Sequence, residues 1–346
     1  MVDVVAGAAP PHAERNLERK LHSIARGRYT PDDFVLADAK DSDMAFGVPS
    51  AGPVAGAPAG SGTAIAPGRY RSREAHLADA RTLVGHGLID VLLTSASNGE
   101  RLVADGSIDD EVTLAVRAND TTDIWLGRGS RYRELPSRPF RSVDLEAIAP
   151  FCDLVLYSVT FNNDLERDLA TLEAYREFRL EAAALGIRHF LEIFNPNAPV
   201  ALEPGDIPAF VNDAILRTLA GITTSQRPLF LKVAYNGAGA LAELIEHDPS
   251  LVVGVLGGVA GTTRDTFELL HRVESHGARV ALFGRKIKQA ESQLDLVRLM
   301  PGVLRGELSP EDAVRTYHEA LTAAGITPLR DLATDLVLTD PVMRSD

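Results

Sequence analysis

The chain has a single cysteine, no long apolar stretch and fewer basic than acidic residues. Cys152 therefore has no partner for an internal disulfide, and its apolar surroundings are typical of a buried small side chain rather than a nucleophile. No stretch approaches the roughly 18 apolar residues of a membrane helix. With 35 basic and 48 acidic side chains, the formal net charge is −13. Because this charge repels nucleic acid and anionic membranes, we expect neither as a partner, whereas a small anionic substrate is compatible with it.

Metal-ligating patterns and targeting segments are also missing. The nine histidines are scattered, and the sequence contains no His-x-x-x-His motif and no cysteine–histidine spacing of a zinc site. We therefore expect no metal and no cofactor, with a Mg²⁺ site through Asp38, Asp120 and Glu192 as the open alternative. The N-terminus lacks the basic start and apolar core of a signal peptide, which predicts a cytoplasmic location.

What the chain does have is a regular alternation of short apolar runs with longer amphipathic ones. The runs are nearly continuous and rich in Leu and β-branched residues, as in strands that are buried on both faces. Eight such strands separated by helices predict an α/β protein with a closed (β/α)8 TIM barrel, and an open doubly wound sheet is the alternative. The predicted strands are Phe34–Asp38, Ile89–Thr94, Val112–Arg117, Asp153–Ser158, His189–Phe194, Pro228–Val233, Leu251–Leu256 and Ala278–Phe283.

The domain boundaries follow from this pattern. Residues 1–30 are predicted to form a tail and an N-terminal helix, residues 31–325 the barrel, and residues 326–346 a C-terminal extension. Ser309-Pro310 opens a final helix, to about residue 323, as an N-cap followed by proline. The clearest helices predicted between the strands are residues 74–84, 165–185, 209–219, 238–246 and 263–275. Two irregular stretches, 47–68 after the first strand and 119–132 after the third, fall at the catalytic end of such a barrel. We interpret them as a lid or subunit contact and as a substrate or subunit contact, respectively.

Active residues of barrels lie at the carboxyl ends of strands, and two charged residues interrupt apolar runs there. Lys232 in the sixth run must be paired with an acid or have a depressed pKa, and the neutral amine is the form that attacks carbonyls. Glu192 in the fifth run could exchange protons or hold Lys232. The alternative is that Lys232 forms a structural ion pair, which accounts for the same interrupted apolar run. The end of the first strand supplies Asp38 and Lys40 as candidate polar partners of Lys232, and other strand ends supply Arg117, Asn119 and Tyr235 as candidate substrate contacts.

Glycines follow the last two strands. Gly257 and Gly258 come after the seventh strand, and Gly284 with Arg285 comes after the eighth. Bare backbone N–H groups in these two loops form a recurrent phosphate site in barrels, and arginine adds a bidentate contact. The sequence therefore predicts a phosphate-binding site, with a surface ion pair of Arg285 as the alternative.

Several of these segments together resemble the class I, Schiff-base aldolases, which include the deoxyribose-phosphate, tagatose-bisphosphate and archaeal-type fructose-bisphosphate aldolases. The resemblance is strong from about residue 188 to 323 and thin before it. It rests on Phe190–Ile193, Phe230–Val233, Gly257–Val259, Arg279–Arg285 and Ser309–His318, with a weaker similarity at Leu36–Lys40.

The resemblance implies a lyase of carbohydrate metabolism, a small phosphorylated substrate and assembly into a homo-oligomer. It implies Lys232 as the Schiff-base lysine, Glu192 as acid and base, and Asp38 and Lys40 as their polar partners. It also implies Gly257, Gly258, Gly284 and Arg285 as the phosphate site. The chain departs from the family at Leu156, where the tagatose type has a lysine, and at Phe194, where the archaeal type has a tyrosine. Another phosphate-binding barrel enzyme, such as an isomerase or a thiolase-like acyl transferase, is the alternative, and a non-catalytic barrel subunit is a third.

Overall fold

The computed structural model describes residues 15–44, 46–52, 54, 70–119 and 127–346. The predicted tail and most of the irregular stretch 47–68 lie outside the described residues, as do residues 120–126 of the stretch 119–132. None of the described helices is both long enough and apolar enough to cross a membrane.

Eight parallel strands close into a barrel in chain order, with the eighth paired to the first. The predicted (β/α)8 fold is thus confirmed, and each strand lies within three residues of its predicted position. The strands are β1 Val35–Ala39, β2 Val91–Thr94, β3 Thr113–Arg117, β4 Leu154–Thr160, β5 Arg188–Phe194, β6 Leu231–Val233, β7 Val253–Leu256 and β8 Val280–Phe283.

Helices surround the strands and extend the chain at both ends. Seven of the helices in the described residues correspond to predicted ones, and six lie where the sequence analysis predicts none; four of these six have at most five residues. The helices are α1 Asn16–Ala25, α2 Arg73–Gly85, α3 Ala96–Ala104, α4 Leu145–Ile148, α5 Leu165–Ala184, α6 Ile207–Ala220, α7 Ala238–His247, α8 Thr263–Ser275, α9 Arg285–Lys288, α10 Gln293–Leu304, α11 Pro310–Ala323, α12 Leu332–Asp335 and α13 Pro341–Ser345. Short 3-10 turns span Pro31–Asp33, Val48–Ala51, Pro204–Asp206 and Thr224–Gln226.

Alternation along the strands divides the core into two layers. Small and aliphatic side chains such as Ala37, Leu156 and Leu282 pack inside the barrel together with two stacked phenylalanines, Phe190 and Phe230. The residues between them point outward and pack against the helices. Whether a strand residue points into the barrel therefore depends on its parity, that is, on whether it occupies an odd or an even position along the strand.

The two chain extensions close different sides of the barrel. Helix α1 covers the amino-terminal end, where Leu17 joins the inner core and Lys20 pairs with Asp90 at 2.7 Å. The segment after α11 packs along α8 and α11. Its Asp335 accepts from Thr263 N at 2.8 Å and lies 2.9 Å from His318 Nε2. The carboxyl ends of the strands remain open to a cavity.

Candidate active site

Three polar side chains lie side by side on neighbouring strands inside the barrel. Ser158, Glu192 and Lys232 stand opposite one another in the register of β4, β5 and β6. Lys232 Nζ lies 2.6 Å from Glu192 Oε1, and Ser158 Oγ donates to Glu192 Oε2 at 2.8 Å. Lys232 is 3 % exposed and Glu192 2 %, so both charges are almost fully removed from bulk water. Such burial is tolerated because the two groups neutralise each other.

A second ion pair extends this cluster. Arg117, at the end of β3, lies 3.5 Å from Glu192 through Nη1 and donates through Nε to Asp41 Oδ2 at 3.0 Å. Burial alone would raise the pKa of Glu192, but Lys232 and Arg117 together hold it below its usual range. Burial would likewise raise the pKa of Asp41, and Arg117, followed by Lys288, lowers it. Both carboxylates are therefore ionised at neutral pH.

The cluster forms the floor of a cavity of about 300 Å³ at the carboxyl end of the barrel. Of the predicted site residues, Lys232, Glu192, Arg117, Gly257, Gly258, Gly284 and Arg285 all line it. Ser50 and Tyr132, from the two irregular stretches, also line it. The remaining lining residues were not singled out by the sequence analysis for the site: Ala39, Asp41, Phe46, Arg133, Phe194, Leu256, Leu282 and Lys288.

Basic groups outnumber acidic ones in this lining. Its acids are Asp41 and Glu192, and its bases are two lysines and three arginines, which gives five positive against two negative charges. This surplus of three positive charges stands in a chain whose net charge is −13. The cavity therefore attracts anions locally although the protein as a whole repels them.

Two of the glycines after β7 and β8, Gly257 and Gly284, lie in closely packed surroundings. A Cβ on Gly284 would lie 2.2 Å from the carbonyl oxygen of Ala39, and one on Gly257 would lie 3.1 Å from the Phe283 ring. Gly258 has φ +64°, which favours glycine although no atom lies within 4 Å of the added Cβ. With Arg285 beside them, these residues expose backbone to the cavity at the predicted phosphate site.

Asp38 and Lys40 do not line the cavity. They share the parity of Leu36 and point into the helix layer, where Lys40 Nζ lies 2.7 Å from Asp38 and donates to Gln293 of α10 at 2.6 Å. Burial raises the pKa of Asp38, against the opposing effect of Lys40. The expectation that this pair assists Lys232 directly therefore conflicts with its place in the structure, and Asp41 is the β1-side acid that reaches the cavity.

Two predicted substrate contacts make structural hydrogen bonds instead of lining the cavity. Asn119 extends the pairing of β3 with β4, because its side chain donates to Ser158 O at 2.9 Å and accepts from Ser158 N at 2.6 Å. Tyr235 donates to Asp346 Oδ2 at 2.6 Å, and burial, followed by this carboxylate, raises its pKa. Both are therefore positioned as supports of the strand ends.

The sequence contained some indication of two cavity residues that were not predicted, Asp41 and Lys288. Asp41 lies one residue beyond the predicted pair at the end of β1, and Lys288 follows Arg285 by three residues in a short basic run. Residues three apart share a face if the run is helical. Among the described residues, no group of three histidine, cysteine or acidic side chains converges into a potential metal site.

Comparisons with known proteins bear on the fold. No family model and no curated protein matches the sequence. Solved structures do: an archaeal fructose 1,6-bisphosphate aldolase has a TM-score of 0.58 at 16% identity, covering 84% of this chain and 100% of its own. A Schiff-base-forming fructose-1,6-bisphosphate aldolase gives 0.57 at 16%, with the same coverage. A fructose-bisphosphate aldolase from Slackia heliotrinireducens DSM 20476 gives 0.61 at 15%, covering 92% and 96%.

The chain has the fold of these aldolases. At such identities the likeness establishes the aldolase-like barrel, and the chemistry has to be argued from the cavity itself.

Proposed function

We propose that this chain is a class I aldolase that acts on a phosphorylated keto compound through a Schiff base on Lys232. The observation that supports it best is the Lys232–Glu192 pair, with its 2.6 Å separation, at the floor of a cationic cavity. An amine beside a carboxylate combines a nucleophile with the group that removes and returns its proton.

The first stage is formation of the imine. In the resting pair the proton resides on Lys232, since the pKa of Glu192 is lowered. Transfer of this proton to Glu192 frees the amine, which attacks the substrate carbonyl and forms a carbinolamine. Glu192 then gives the proton to the carbinolamine hydroxyl, which leaves as water, and the nitrogen lone pair forms the C=N bond of the iminium ion.

The second stage is cleavage. The iminium withdraws electrons, and Glu192, again a carboxylate, accepts the proton of the hydroxyl group β to the iminium carbon. The carbon–carbon bond breaks, an aldehyde leaves and the electron pair forms an enamine. Protonation of the enamine carbon and hydrolysis of the imine restore Lys232. Arg117, itself fixed by Asp41, keeps Glu192 ionised and oriented between these steps.

The phosphate end of the substrate fits the opposite side of the cavity. Gly257, Gly258 and Gly284 allow the anion to approach backbone N–H groups, and Arg285 contributes a planar pair of donors. Binding at this end positions the carbonyl against Lys232, so that part of the binding energy lowers the barrier to attack.

Borohydride trapping tests the proposal. Wild-type protein is incubated with dihydroxyacetone phosphate and borohydride, and the reduced adduct is located by peptide mass spectrometry. We expect the adduct at Lys232 and its complete loss in Lys232→Arg, since a guanidinium stays protonated. Lys20→Arg is the matched control, because Lys20 pairs with Asp90 at the other end of the barrel.

The outcomes separate the alternatives. A Lys232→Arg protein that keeps more than a few per cent of the trapping or turnover refutes the Schiff-base proposal. Phosphate binding without any adduct favours an isomerase or another reaction on the same fold. A chain that neither binds phosphate nor forms an adduct is a non-catalytic barrel.

A further inference from the structure

Helix α9 places its basic residues on two sides. Arg285 and Lys288 are three residues apart, share one face of this single turn and both line the cavity. Lys286 points elsewhere and donates to the carbonyl oxygen of Ala260 at 3.2 Å, beneath the loop that follows β7. Lys288 is therefore a second α9 cation on the cavity side, beside the predicted phosphate site.

The present partner of Lys288 is a neutral one. Its ammonium donates to the backbone carbonyl of Ser50, in the segment that follows β1. Within the described part of the chain, no carboxylate lies within ion-pair distance of its Nζ. Burial is the largest influence on the pKa of Lys288 and lowers it, and the attraction of Asp41 only partly opposes this. A half-buried ammonium whose partner is a carbonyl group gains strongly from an anion placed beside it.

We infer that Lys288 is a specificity-determining residue of the anion site, and that a dianionic oxyanion draws its ammonium away from the Ser50 carbonyl. Arg285 and Lys288 together match two negative charges, which favours a phosphate monoester over a carboxylate. This inference rests on the proposed function for the identity of the cavity as the substrate site. The same chemistry serves a phosphorylated substrate and free inorganic phosphate.

Proton uptake is the signature that distinguishes this role from a structural one. A dianion beside Lys288 raises the pKa that burial has lowered, so binding takes up protons in the alkaline range below the ordinary lysine pKa of about 10.4. In that range Asp41, with its lowered pKa, stays ionised, and His76, whose pKa burial lowers to about 4, stays neutral. Burial also lowers the pKa of Lys286 to about 8, so the proton uptake assigned to Lys288 is the part that its substitution removes. The charged and titratable groups around Lys288 are Asp38, Lys40, Asp41, Arg71, His76, Asp79, Arg285, Lys286 and Glu291.

The experiment is calorimetric titration of the full chain with sulfate, a dianion that does not itself titrate in the alkaline range, at a series of pH values between neutrality and the ordinary lysine pKa. Repeating it in buffers of different ionisation enthalpy gives the number of protons taken up. We expect Lys288→Met to weaken sulfate binding about ten- to a hundred-fold and to reduce proton uptake below that of the wild type. Lys288→Arg keeps a permanent charge, so it should bind sulfate within about tenfold of wild type but with the same reduced proton uptake. Lys20→Met is the control outside the cavity.

Arg285→Ala distinguishes the contributions of Arg285 and Lys288. It should weaken sulfate binding, whereas the proton uptake that Lys288 contributes should persist. The inference is overturned if folded Lys288→Met binds sulfate as wild type does, or if Lys288→Arg retains the wild-type proton uptake. Should Lys288→Met not fold, the wild type and Lys288→Arg still decide the question.

A wild-type protein that binds no sulfate also overturns the inference, whatever the trapping experiment shows. Borohydride trapping of uncharged dihydroxyacetone by the wild type depends on the amine of Lys232 and not on the anion site, so it tests the proposed function separately from sulfate binding. Failure at Lys232 and failure at Lys288 are thus distinguishable. Comparing trapping of dihydroxyacetone phosphate with and without competing inorganic phosphate shows whether the substrate phosphate and the free ion share the site.

Discussion

Replacing Glu192 with glutamine removes one negative charge from the barrel interior and changes its shape very little. The amide oxygen still accepts from Lys232 or Ser158, so the loss of stability reports on charge rather than on a cavity. Wild-type Glu192 is 2 % exposed and lies 2.6 Å from Lys232 Nζ, and Arg117 is 3.5 Å away. Because the substitution leaves a buried ammonium without its counter-ion, we expect a loss of about 3–5 kcal/mol in the free energy of unfolding at neutral pH.

The pH dependence of this loss provides a second test. The folded pKa of Glu192 lies below its unfolded value of about 4.3, so its contribution to stability is fully present above that value. It disappears as the pH falls through the lower, folded pKa, where the carboxyl becomes neutral like the amide. The stability difference between wild type and Glu192→Gln should therefore be largest near pH 7 and shrink in acid. Carboxylates that do not contact this cluster act equally in both proteins and cancel from the difference.

Urea denaturation followed by circular dichroism measures both effects. Glu192→Gln with Lys232→Met is the informative partner variant, since it removes both charges of the pair. We expect this double variant to be more stable than Glu192→Gln alone, because a buried charge without a partner costs more than a missing pair. The reasoning is refuted if the double variant is no more stable than the single one, or if the single variant matches wild type at pH 7.

Three further predictions concern residues around the site. Lys40→Met should cost about 3–5 kcal/mol by leaving Asp38 unpaired, but the folded protein should form the borohydride adduct at the wild-type level because this pair faces the helix layer. Gly284→Ala should prevent folding or abolish sulfate binding, whereas Gly258→Ala should cost only about 1–2 kcal/mol from its left-handed backbone; thermal unfolding and calorimetry compare the two. Cys152, whose pKa burial raises to about 12, should react with dithionitrobenzoate at pH 8 only as fast as the protein opens.

The fold could be predicted from the sequence because a parallel barrel requires a repeated pattern of short apolar runs. Strands buried on both faces produce continuous apolar runs, and eight of them identified eight strands to within three residues. Helices were harder where their apolar stripe was interrupted. Helix α3 begins with Ala96-Ser-Asn-Gly, and α10 contains Pro301, so neither shows an unbroken helical pattern. Tertiary packing stabilises both, and sequence periodicity does not report it.

The site could be predicted in part. Which of the predicted strand residues line the cavity depends on the direction in which each side chain points from its strand. Lys232, Glu192 and Arg117 share the parity of the inward-facing residues on their strands, and all three reach the cavity. Asp38 shares the parity of Leu36 and faces the helices, although it is an acid at the end of a strand. Residue type suggested that it belonged to the site, and parity, which could be read from the same apolar run, contradicts this.

Parity ceases to help beyond the last residue of a strand, where the loops determine direction. Asp41 turns into the cavity because Arg117 binds one oxygen at 3.0 Å and the Met44 N–H donates to the other at 3.1 Å. Lys288 reaches it because α9 makes a single turn after Gly284, whose missing Cβ lets β8 pack against the carbonyl of Ala39. The Arg117–Asp41 contact and the packing of Gly284 against Ala39 join segments far apart in the chain. The charged groups on the strands could therefore be identified from the sequence, whereas Asp41 depends on its contact with β3 and Lys288 on closure of β8 against β1.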